Sequence, residues 1–434
     1  MDKKMTAIVI GIVVIAVAAI AIMTLTNSND DGNNRETYLG GVLPIYGNAN
    51  GDSVIDENDI EYLNDYLAGK IPKTQFMDAN HDSKIDEKDI QTIKDLITYK
   101  DGTEVYYVDG INEVAKATLP ISTCAIYCSG NHTLQHLCLG VGMTADNVLI
   151  IDTFNRKPSN PDPVVGKWTN NGTATIFDGD PLDVNKLIST GKIPDAVIEP
   201  PKYAKKISQE TRSILGEYGI DVIAIEPSDV RTYASNVLLL GFLFNIKESA
   251  NLYVEWCNDI QTALDEKVGK LTDAERPTAF LCNKTDMVVG INEPIASVLE
   301  LAGAKNYADW NESYRSFNST KYVWIYNEPY KNVDYFIQTP GGGYDYKIED
   351  YKAQFDTTAG KIADLDCYKK GNYYMIDCQM PRLLHAAYVA EAIHPDLFEK
   401  GFADGFMERL LEIYDYPLNL SEHKFCFDKE SFGY

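Results

Sequence analysis

Basic side chains are scarce in this sequence. Its 434 residues include 39 Lys and Arg against 64 Asp and Glu, which gives a formal net charge of -25. Nucleic-acid binding depends on clustered Lys and Arg that neutralise phosphates, so this balance argues against a nucleic-acid partner. It also argues against attachment to anionic lipid by charge alone. The charge does not identify a ligand, because a pocket can differ from the surface around it.

Motifs of the common catalytic classes are also missing. The sequence contains no GxSxG, no HExxH and no phosphate-binding glycine loop that ends in Lys-Ser or Lys-Thr. Its one glycine pattern, GVGMTA at 140–145, follows a predicted helix rather than a strand. That position indicates a helix stop rather than a dinucleotide site. The sequence therefore predicts a protein that is not an enzyme.

Cysteines are few and form no CxxC pair. The eight are Cys124, Cys128, Cys138, Cys257, Cys282, Cys367, Cys378 and Cys426. An even number permits disulfides outside the cell, and Cys367 and Cys378 are the easiest pair because they flank a predicted hairpin near Gly371. Buried free thiols are the competing interpretation.

One long apolar run is present, from Met5 to Leu25. As a helix it is long enough to cross the hydrocarbon core of a bilayer, about 30 Å. Two lysines precede it and two aspartates follow it, so the N-terminus is expected to stay in the cytoplasm. Residues 1–28 are predicted to be a membrane anchor or signal, with an uncleaved transmembrane helix favoured. The rest of the chain would then be extracytoplasmic, at the cell membrane.

Two acidic segments, residues 48–59 and 78–89, repeat each other. Both carry oxygen-bearing side chains at positions 1, 3, 5, 9 and 12, and position 7 can offer its carbonyl, as in a calcium loop. Both run into the same apolar helical spacing, so the repeat is structural as well as chemical. The predicted Ca²⁺ ligands are Asn48, Asn50, Asp52, Val54, Asp56 and Asp59 in the first loop, and Asp78, Asn80, Asp82, Lys84, Asp86 and Asp89 in the second.

This duplicated loop and helix, residues 44–100, resembles the dockerin module, in which two calcium loops order two packed helices that bind a cohesin domain. The resemblance implies a small all-α module and a cohesin-like partner. Asn48 stands where a carboxylate is commoner, which implies a weaker first site. A domain of this size buries little core, so the ions would supply part of its folding free energy.

The remaining chain alternates between short apolar runs and helical periods, the pattern of an α/β domain. Predicted strands are 123–127, 148–152, 196–198, 222–225, 278–281, 335–337 and 373–376. A helical stretch after Pro227 is predicted to be interrupted at Gly241. The stretch 247–271 then predicts one helix of about 36 Å, a spine between two halves. The predicted units are a first lobe at 104–245, the spine at 246–272 and a second lobe at 273–434.

Seven segments of this region occur in a recognisable order. They are PDAVIEPPKYAKK (194–206), YGIDVIAIEP (218–227), LLGFLFNIKESANLYVEW (239–256), VLELAGAKNYAD (298–309), YKNVDYFIQTPGG (330–342), KKGNYYMID (369–377) and AEAIHPDLF (390–398). The ordered set resembles the class III substrate-binding proteins of ABC importers, which bind iron-siderophores, haem or cobalamin. The resemblance implies two Rossmann-like α/β lobes joined by a spine helix, a ligand in the cleft between them and a membrane permease as partner.

Loops at strand ends supply the candidate ligand contacts, because ligands bind beyond the carboxyl ends of parallel strands. The candidates are His132, Arg156, Lys202, Tyr203, Tyr344 and Arg382. Arg156 and Lys202 could bind carboxylates of a ligand, and Tyr203 and Tyr344 could stack on a planar ring system. His136 shares a helix face with His132 but is predicted to be a packed residue. For each candidate, an ordinary solvent-exposed loop residue is an equally good interpretation.

The sequence thus predicts a membrane-tethered solute-binding protein whose ligand is a metal chelate. The alternative is an anchored cell-surface interaction protein that binds a cohesin-like partner through its calcium module. The stretches 131–140 and 318–326 contain no Glu, although the family usually carries there the Glu that pairs with Arg of the permease. That departure favours the alternative, and ligand uptake by the large domain would discriminate the two.

Overall fold

The computed structural model describes residues 41–127, 133–153, 162–176, 182–283, 286–317 and 324–434. The predicted membrane anchor at residues 1–28 lies outside these ranges. Within them, no helix is both long enough and apolar enough to cross a membrane.

The N-terminal repeat forms two short helices, α1 (Glu57–Leu67) and α2 (Glu87–Ile97), each preceded by one acidic loop. An aspartate begins each helix, Asp56 or Asp86, and its carboxylate accepts the N–H group two residues later. The aspartate at the third helical position accepts the N–H group of that first aspartate, which completes a capping box. The predicted duplication of loop and helix is therefore present in the fold.

A hairpin of β1 (Glu104–Val108) and β2 (Val114–Thr118) follows the repeat. Ile45, which precedes the first loop, forms a bridge with Tyr107 of β1. Gly110, in the turn of the hairpin, donates its N–H to the carbonyl oxygen of Ala224. The hairpin therefore connects the repeat to the first lobe, whereas the sequence had assigned it to that lobe.

The first lobe is built on a five-stranded parallel sheet. Its strands are β3 (Cys124–Ile126), β4 (Val148–Asp152), β5 (Ala174–Ile176), β6 (Ala196–Glu199) and β7 (Asp221–Ala224), in the order β5-β4-β3-β6-β7. Its helices are α3 (Thr133–Gly140), α4 (Gly166–Asn170), α5 (Val184–Ser189), α6 (Pro201–Ala204), α7 (Gln209–Glu217) and α8 (Tyr233–Leu243). Helix α3 ends at Gly140, so GVGMTA is a helix stop as predicted.

A single helix, α9 (Lys247–Val268), follows α8 and lies between the lobes. Its 22 residues correspond to about 33 Å at 1.5 Å per residue. It packs against α3 and α8 of the first lobe and against three helices of the second lobe. The predicted spine is thus confirmed, three residues shorter at its C-terminal end.

The second lobe holds a seven-stranded mixed sheet. Its strands are β8 (Thr278–Asn283), β9 (Met287–Val289), β10 (Lys305–Asn306), β11 (Tyr314–Ser316), β12 (Tyr335–Thr339), β13 (Tyr373–Ile376) and β14 (Cys426–Phe427). Strands β10, β8, β12 and β13 run parallel, whereas β9 pairs antiparallel with β8 and β14 with β13. The helices are α10 (Ser297–Leu301), α11 (Ile348–Ile362), α12 (Asp366–Lys369), α13 (Arg382–Ile393) and α14 (Phe402–Ile413).

The predicted interruption at Gly241 is wrong, because α8 continues through it to Leu243. The glycine lies against Ala250 of the spine, and a Cβ atom at Gly241 would be 2.3 Å from the Cβ atom of Ala250. This glycine is therefore required for the close approach of two helices rather than for a break in one of them.

Of the two alternatives left open for the cysteines, the disulfide is not present among the described residues. All seven cysteines that the structure describes are free thiols, Cys367 and Cys378 among them. Cys367 lies in α12 and Cys378 follows β13, so strand β13 separates them. The hairpin expected near Gly371 is instead the turn from helix α12 into strand β13. The interpretation as buried free thiols holds for five of the seven, and the other two are half-buried.

Gly241→Ala should destabilise the protein by about 1–3 kcal/mol, because the added methyl group overpacks the contact with Ala250. The matched control is Gly216→Ala in α7, where nothing lies within 4 Å of an added Cβ atom. That change should stabilise by about 0.5–1 kcal/mol through helix propensity. Urea unfolding of both variants measures the difference, and a stabilised Gly241→Ala protein would contradict the packing argument.

Candidate functional site

Buried polar side chains from both lobes meet at the lobe junction. Those of the first lobe lie on α3 or in the segment before α4, and those of the second lobe follow β12, begin α13 or follow α14. They are Thr133, His136, Asp162, Tyr344, Arg382 and Tyr414, each at most 5% exposed. Among the described residues, three hydrogen bonds join the lobes here: Tyr414 donates its hydroxyl to the carbonyl oxygen of His136 (3.1 Å), Arg382 donates to the hydroxyl of Thr133, and Lys167 donates to the carbonyl oxygen of Tyr414.

His136 contributes an imidazole with unused hydrogen-bonding capacity. Its ring centroid lies 5.1 Å from that of Tyr344 and 5.9 Å from that of Tyr414. Its Nε2 is 3.5 Å from a carboxylate oxygen of Asp162, which is beyond a good hydrogen bond. Among the described residues, neither ring nitrogen has a hydrogen-bond partner. A buried polar group without a hydrogen-bond partner lowers the stability of the folded protein by about 1–3 kcal/mol. A ligand that pairs with the His136 ring would recover that free energy.

Tyr344 presents the second buried donor of this kind. Its hydroxyl has no hydrogen-bond partner within the part of the chain that the structure describes. Burial raises the pKa of Tyr344 well above its usual 10.0, and the nearby Tyr414 and Asp162 add to that effect. The free phenol is therefore neutral at physiological pH. Its ring also packs against Tyr416 and Phe425, so one side of the junction is aromatic.

The position of Tyr344 is fixed by a buried carboxylate. Asp377, at the end of β13, accepts the N–H groups of Gly342 and Gly343 at 2.9 Å each. It also accepts the hydroxyl of Tyr351 at 2.5 Å. A Cβ atom at Gly342 would lie 2.4 Å from the oxygen of that hydroxyl. The glycines at 341–343 therefore let the loop close over Asp377, and this closure carries Tyr344 to the junction.

Arg382 brings a cation to the same region. Its guanidinium donates to the carbonyl oxygen of Cys378 (2.7 Å) and to the hydroxyl of Thr133 (3.1 Å), so it links the two lobes. Near Arg382, burial raises the pKa of Glu226 to about 7. A backbone hydrogen bond from Ser228 and the charge of Arg382 oppose this rise, and the charge of Asp229 adds to it. The junction thus combines a fixed cation with a carboxyl group that titrates near neutrality.

His385 lies one turn after Arg382 on α13 and is fully buried. Burial lowers the pKa of His385 well below its usual 6.5, and the charge of Arg382 adds to that effect. Neither of its ring nitrogens has a hydrogen-bond partner among the described residues. The imidazole is therefore held neutral inside the second lobe.

The predicted ligand contacts are distributed unevenly. His132 and Arg156 lie outside the described residues. Lys202 is exposed and Tyr203 is half-buried on α6, where the amine of Lys206 lies 5.3 Å over the Tyr203 ring. The structure brings Tyr344 and Arg382 together with His136, which the sequence had assigned to packing. Asp162 and Tyr414 were not predicted, because neither belongs to a motif or a regular spacing.

The two acidic loops have nearly the same internal hydrogen bonds. The carboxylate at position 12 accepts two backbone N–H groups, those of Asn50 and Asp56 in the first loop. The equivalent pair in the second loop is Asn80 and Asp86. Position 1 differs between the loops. Asp78 accepts two backbone N–H groups, whereas the amide of Asn48 accepts one N–H and donates to the carbonyl oxygens of Leu43 and Asp52.

These loops offer the oxygen donors that Ca²⁺ prefers. Burial raises the pKa of Asp59 to about 7 and also raises that of Asp89, and backbone hydrogen bonds oppose both shifts. A nearby cation would offset this unfavourable burial of charge. Among the described residues, no three His, Cys, Asp or Glu side chains are grouped as a metal centre. A carboxylate oxygen that accepts one N–H keeps a second lone pair, so the donor set still fits a cation.

Over about three quarters of its length, the chain is similar in fold to solved periplasmic binding proteins. No protein-family model matches the sequence, and no curated protein is similar to it in sequence. A TroA-like periplasmic binding protein, FepB of Veillonella parvula, has a TM-score of 0.58 at 13% identity, over 74% of this chain and 99% of its own. MolA of Haemophilus influenzae, bound to molybdate, reaches 0.55 at 14% identity over 72% and 99%. CeuE of Helicobacter pylori, in a nickel–histidine complex, reaches 0.52 at 15% over 72% and 96%.

His385→Leu should flatten the decline of stability in acid. Because the folded pKa of His385 is lowered, its stabilising contribution is complete above pH 6.5 and is lost as the pH falls below that value. Below pH 6.5, the free energy of unfolding of the variant should fall less steeply with decreasing pH, by up to about 1.4 kcal/mol per pH unit. Urea unfolding between pH 8 and 5 measures it, with pH 8 as the internal reference. An unchanged slope would show that His385 does not stay neutral.

Proposed function

We propose that this chain is a non-catalytic solute-binding protein of an ABC importer and that it binds a metal chelate between its lobes. The observation that carries the proposal is the pair of buried donors at the junction, the imidazole of His136 and the phenol of Tyr344. Imidazole nitrogen suits transition metals, whereas a neutral phenol hydroxyl can donate a hydrogen bond to an oxygen atom of the chelate. A chelate with one open metal coordination position and a neighbouring hydrogen-bond acceptor would satisfy both groups at once.

Two features of the junction support a chelate of the iron-siderophore, haem or corrinoid type. The rings of Tyr414, Tyr416 and Phe425 pack around Tyr344 as an aromatic cluster, and ligand sites are mostly apolar with a few convergent polar groups. Arg382 supplies a cation for a carboxylate of the ligand. By fold analogy alone, the similar proteins named above include one with nickel and one with molybdate, both metal-containing ligands.

The cellular setting completes the proposal. The apolar run at 5–25 would tether the chain at the cell membrane, with the lobes outside the cytoplasm. An importer permease in the same membrane would then receive the ligand.

A binding panel tests this function directly. The full chain is titrated with haem, cobalamin and ferric siderophores, followed by intrinsic fluorescence and thermal shift. One chelate is expected to bind at micromolar or tighter affinity and to raise the melting temperature by mass action. If the folded protein binds none of these chelates, the result would favour the alternative of an anchored interaction protein with a cohesin-like partner.

Tyr344→Phe separates binding from stability. Loss of the hydroxyl should raise the dissociation constant of the chelate about tenfold or more, which corresponds to a loss of about 1.4 kcal/mol or more of binding free energy. It should also stabilise the ligand-free protein by about 1 kcal/mol, because an unpaired buried hydroxyl is removed. The matched control is Tyr218→Phe, since Tyr218 is 48% exposed. Full affinity in the Tyr344→Phe protein would exclude the phenol as a ligand contact.

We also propose that the two acidic loops bind Ca²⁺. The ligand sets are the twelve residues named from the sequence, and the buried carboxylates of Asp59 and Asp89 support the proposal. The second loop should bind more tightly, because Asp78 supplies a carboxylate where the first loop has Asn48.

Calorimetry with calcium should detect two ions per chain, one tighter than the other. Asp89→Asn should abolish the tighter site and leave the weaker one, because position 12 supplies the last carboxylate of the loop. The control is Asp65→Asn, which removes a carboxylate on the surface of α1, outside the loops. Retention of both sites in the Asp89→Asn protein would reject the assigned ligand set.

A further inference from the structure

No flexible linker separates the loop–helix repeat, residues 44–100, from the rest of the chain. The segment between the repeat and strand β1, residues 101–103, is held by two backbone hydrogen bonds: Gly102 donates to the carbonyl oxygen of Leu119, and Leu119 donates to that of Thr103, both at 2.9 Å. Strand β1 begins immediately afterwards. The repeat is therefore continuous with the hairpin.

The hairpin in turn connects the repeat to the sheet of the first lobe through backbone hydrogen bonds. On one side, Tyr46 donates to the carbonyl oxygen of Tyr106, and Val108 donates to that of Pro44, both at 2.9 Å. On the other side, Gly110 bonds the end of β7 at 2.8 Å. A Cβ atom at Gly110 would lie 2.8 Å from a backbone nitrogen of the first lobe, so the approach is as close as glycine permits.

The second acidic loop is stacked directly on this hairpin. His81, at loop position 4, lies between two tyrosine rings. Its centroid is 4.8 Å from Tyr46, edge to face, and 5.1 Å from Tyr106 at an interplanar angle of 14°. Any change in the order of the loop therefore acts on the hairpin.

A second route leads from α2 to helix α8. Tyr99, just after α2, donates its hydroxyl to the carbonyl oxygen of Leu243, the last residue of α8, and its ring lies 6.2 Å from that of Phe242. Near the start of α8, a Cβ atom at Gly41 would lie 2.8 Å from the backbone of Ala234. The chain around the repeat thus contacts both ends of α8, which leads into the spine. We call the end of α8 with the start of α9 the α8–spine corner.

The apolar face of the repeat is already occupied by its own chain. Leu63 of α1 and Ile93 of α2 are fully buried in one continuous core with Tyr107 of the hairpin and Leu238 of α8. Most outward positions of the two helices are polar and exposed: Glu57, Asn58, Glu61, Asn64, Glu87, Lys88, Gln91 and Lys94. The apolar exception on these helices is Leu67, the last residue of α1, which is 42% exposed. This surface offers a second protein little apolar area to bury.

We propose that the partner of the loop–helix repeat is the first lobe of the same chain, and that cation loading of the loops braces the α8–spine corner. The inference rests on the proposed calcium sites. Asp86 and Asp89 belong to the second loop and also to the start of α2, so a bound ion stabilises α2 as well as the loop. The hydrogen bond from Tyr99 to Leu243 connects α2 to the end of α8, so α8 is stabilised with it. An ion that binds only the ordered loops stabilises every segment that opens together with them.

Amide hydrogen exchange on the full chain, with and without calcium, tests the brace. Calcium should slow exchange in α8 and β7 as well as in the loops. At a calcium concentration 100 times the dissociation constant, the slowing approaches about 100-fold where each opening releases one ion. Calcium that binds by calorimetry but protects only residues 48–59 and 78–89 would overturn the proposal.

Tyr99→Phe removes the hydroxyl that bonds Leu243 and leaves both loops intact. This variant should bind calcium with unchanged affinity, yet the protection of α8 by calcium should fall severalfold. The control is Tyr62→Phe, a half-buried tyrosine on α1. Unchanged protection of α8 in the Tyr99→Phe protein would contradict this route.

A cation-free comparison distinguishes the brace from the calcium proposal. Ile93→Ala loosens the core of the repeat and should speed exchange in α8 without any ion present. Leu252→Ala, at a 63% exposed position of the spine, is the control. If the wild-type protein binds no calcium, the proposed calcium sites and the proposed effect of the cation on α8 are both wrong. Faster exchange of α8 in the Ile93→Ala protein would then still support the first lobe as the partner of the repeat. Unchanged exchange of α8 would overturn that part of the proposal too.

Discussion

The close packing of the first lobe on the spine helix is the constraint from which the other features follow. Two glycines permit it, since a Cβ atom at Gly241 would collide with Ala250 and one at Gly140 would lie 2.4 Å from the ring of Tyr253. Protein interiors are packed too densely to absorb such atoms without movement. The contact at Gly140 places α3, and hence His136, at the lobe junction. The contact at Gly241 places α8 where the N-terminal repeat reaches it.

The second lobe uses the same helix from the other side. Helices α13 and α14 pack on the spine, and they carry Arg382 at the start of one and Tyr414 after the end of the other. Both residues bond α3 of the first lobe. Helices α3, α13 and α14 thus pack on one scaffold, the spine helix, and this packing fixes the junction residues that they carry. The unpaired buried donors of the junction lower stability, as is common where a protein keeps groups for binding rather than for folding.

The N-terminal repeat has a different relation to the same scaffold. Its loops carry the oxygen-bearing side chains of the proposed cation sites, and its helices bury apolar residues in one core with the hairpin and α8. A module of this size has little core of its own, and here that core merges with the core of the first lobe. Loop order, hairpin and spine are consequently linked by a chain of direct contacts. Such a chain can couple a cation site to a distant lobe without movement of the ligand site itself.

Local patterns in the sequence predicted much of this protein. Short apolar runs located seven strands to within two residues at each end, a period of 3.6 located the spine, and the repeated spacing of oxygen side chains located two loops. These features depend on neighbours in sequence. The same kind of reasoning predicted a helix break at Gly241 and left a disulfide between Cys367 and Cys378 open as one alternative. Neither is present, because glycine can serve close packing and because α12 replaces the expected hairpin.

The tertiary structure alone decided which residues meet. His136, Tyr344 and Tyr414 are far apart in sequence, and no periodicity relates them, yet their rings are in contact. The sequence by itself determined the two acidic loops, the alternation of strands and helices, and the long helix between lobes, because each is set by short-range spacing and backbone preference. The partners of the buried donors and the face on which the repeat packs depend instead on how finished elements fill space together. That packing is a property of the whole chain and is not written in any one segment.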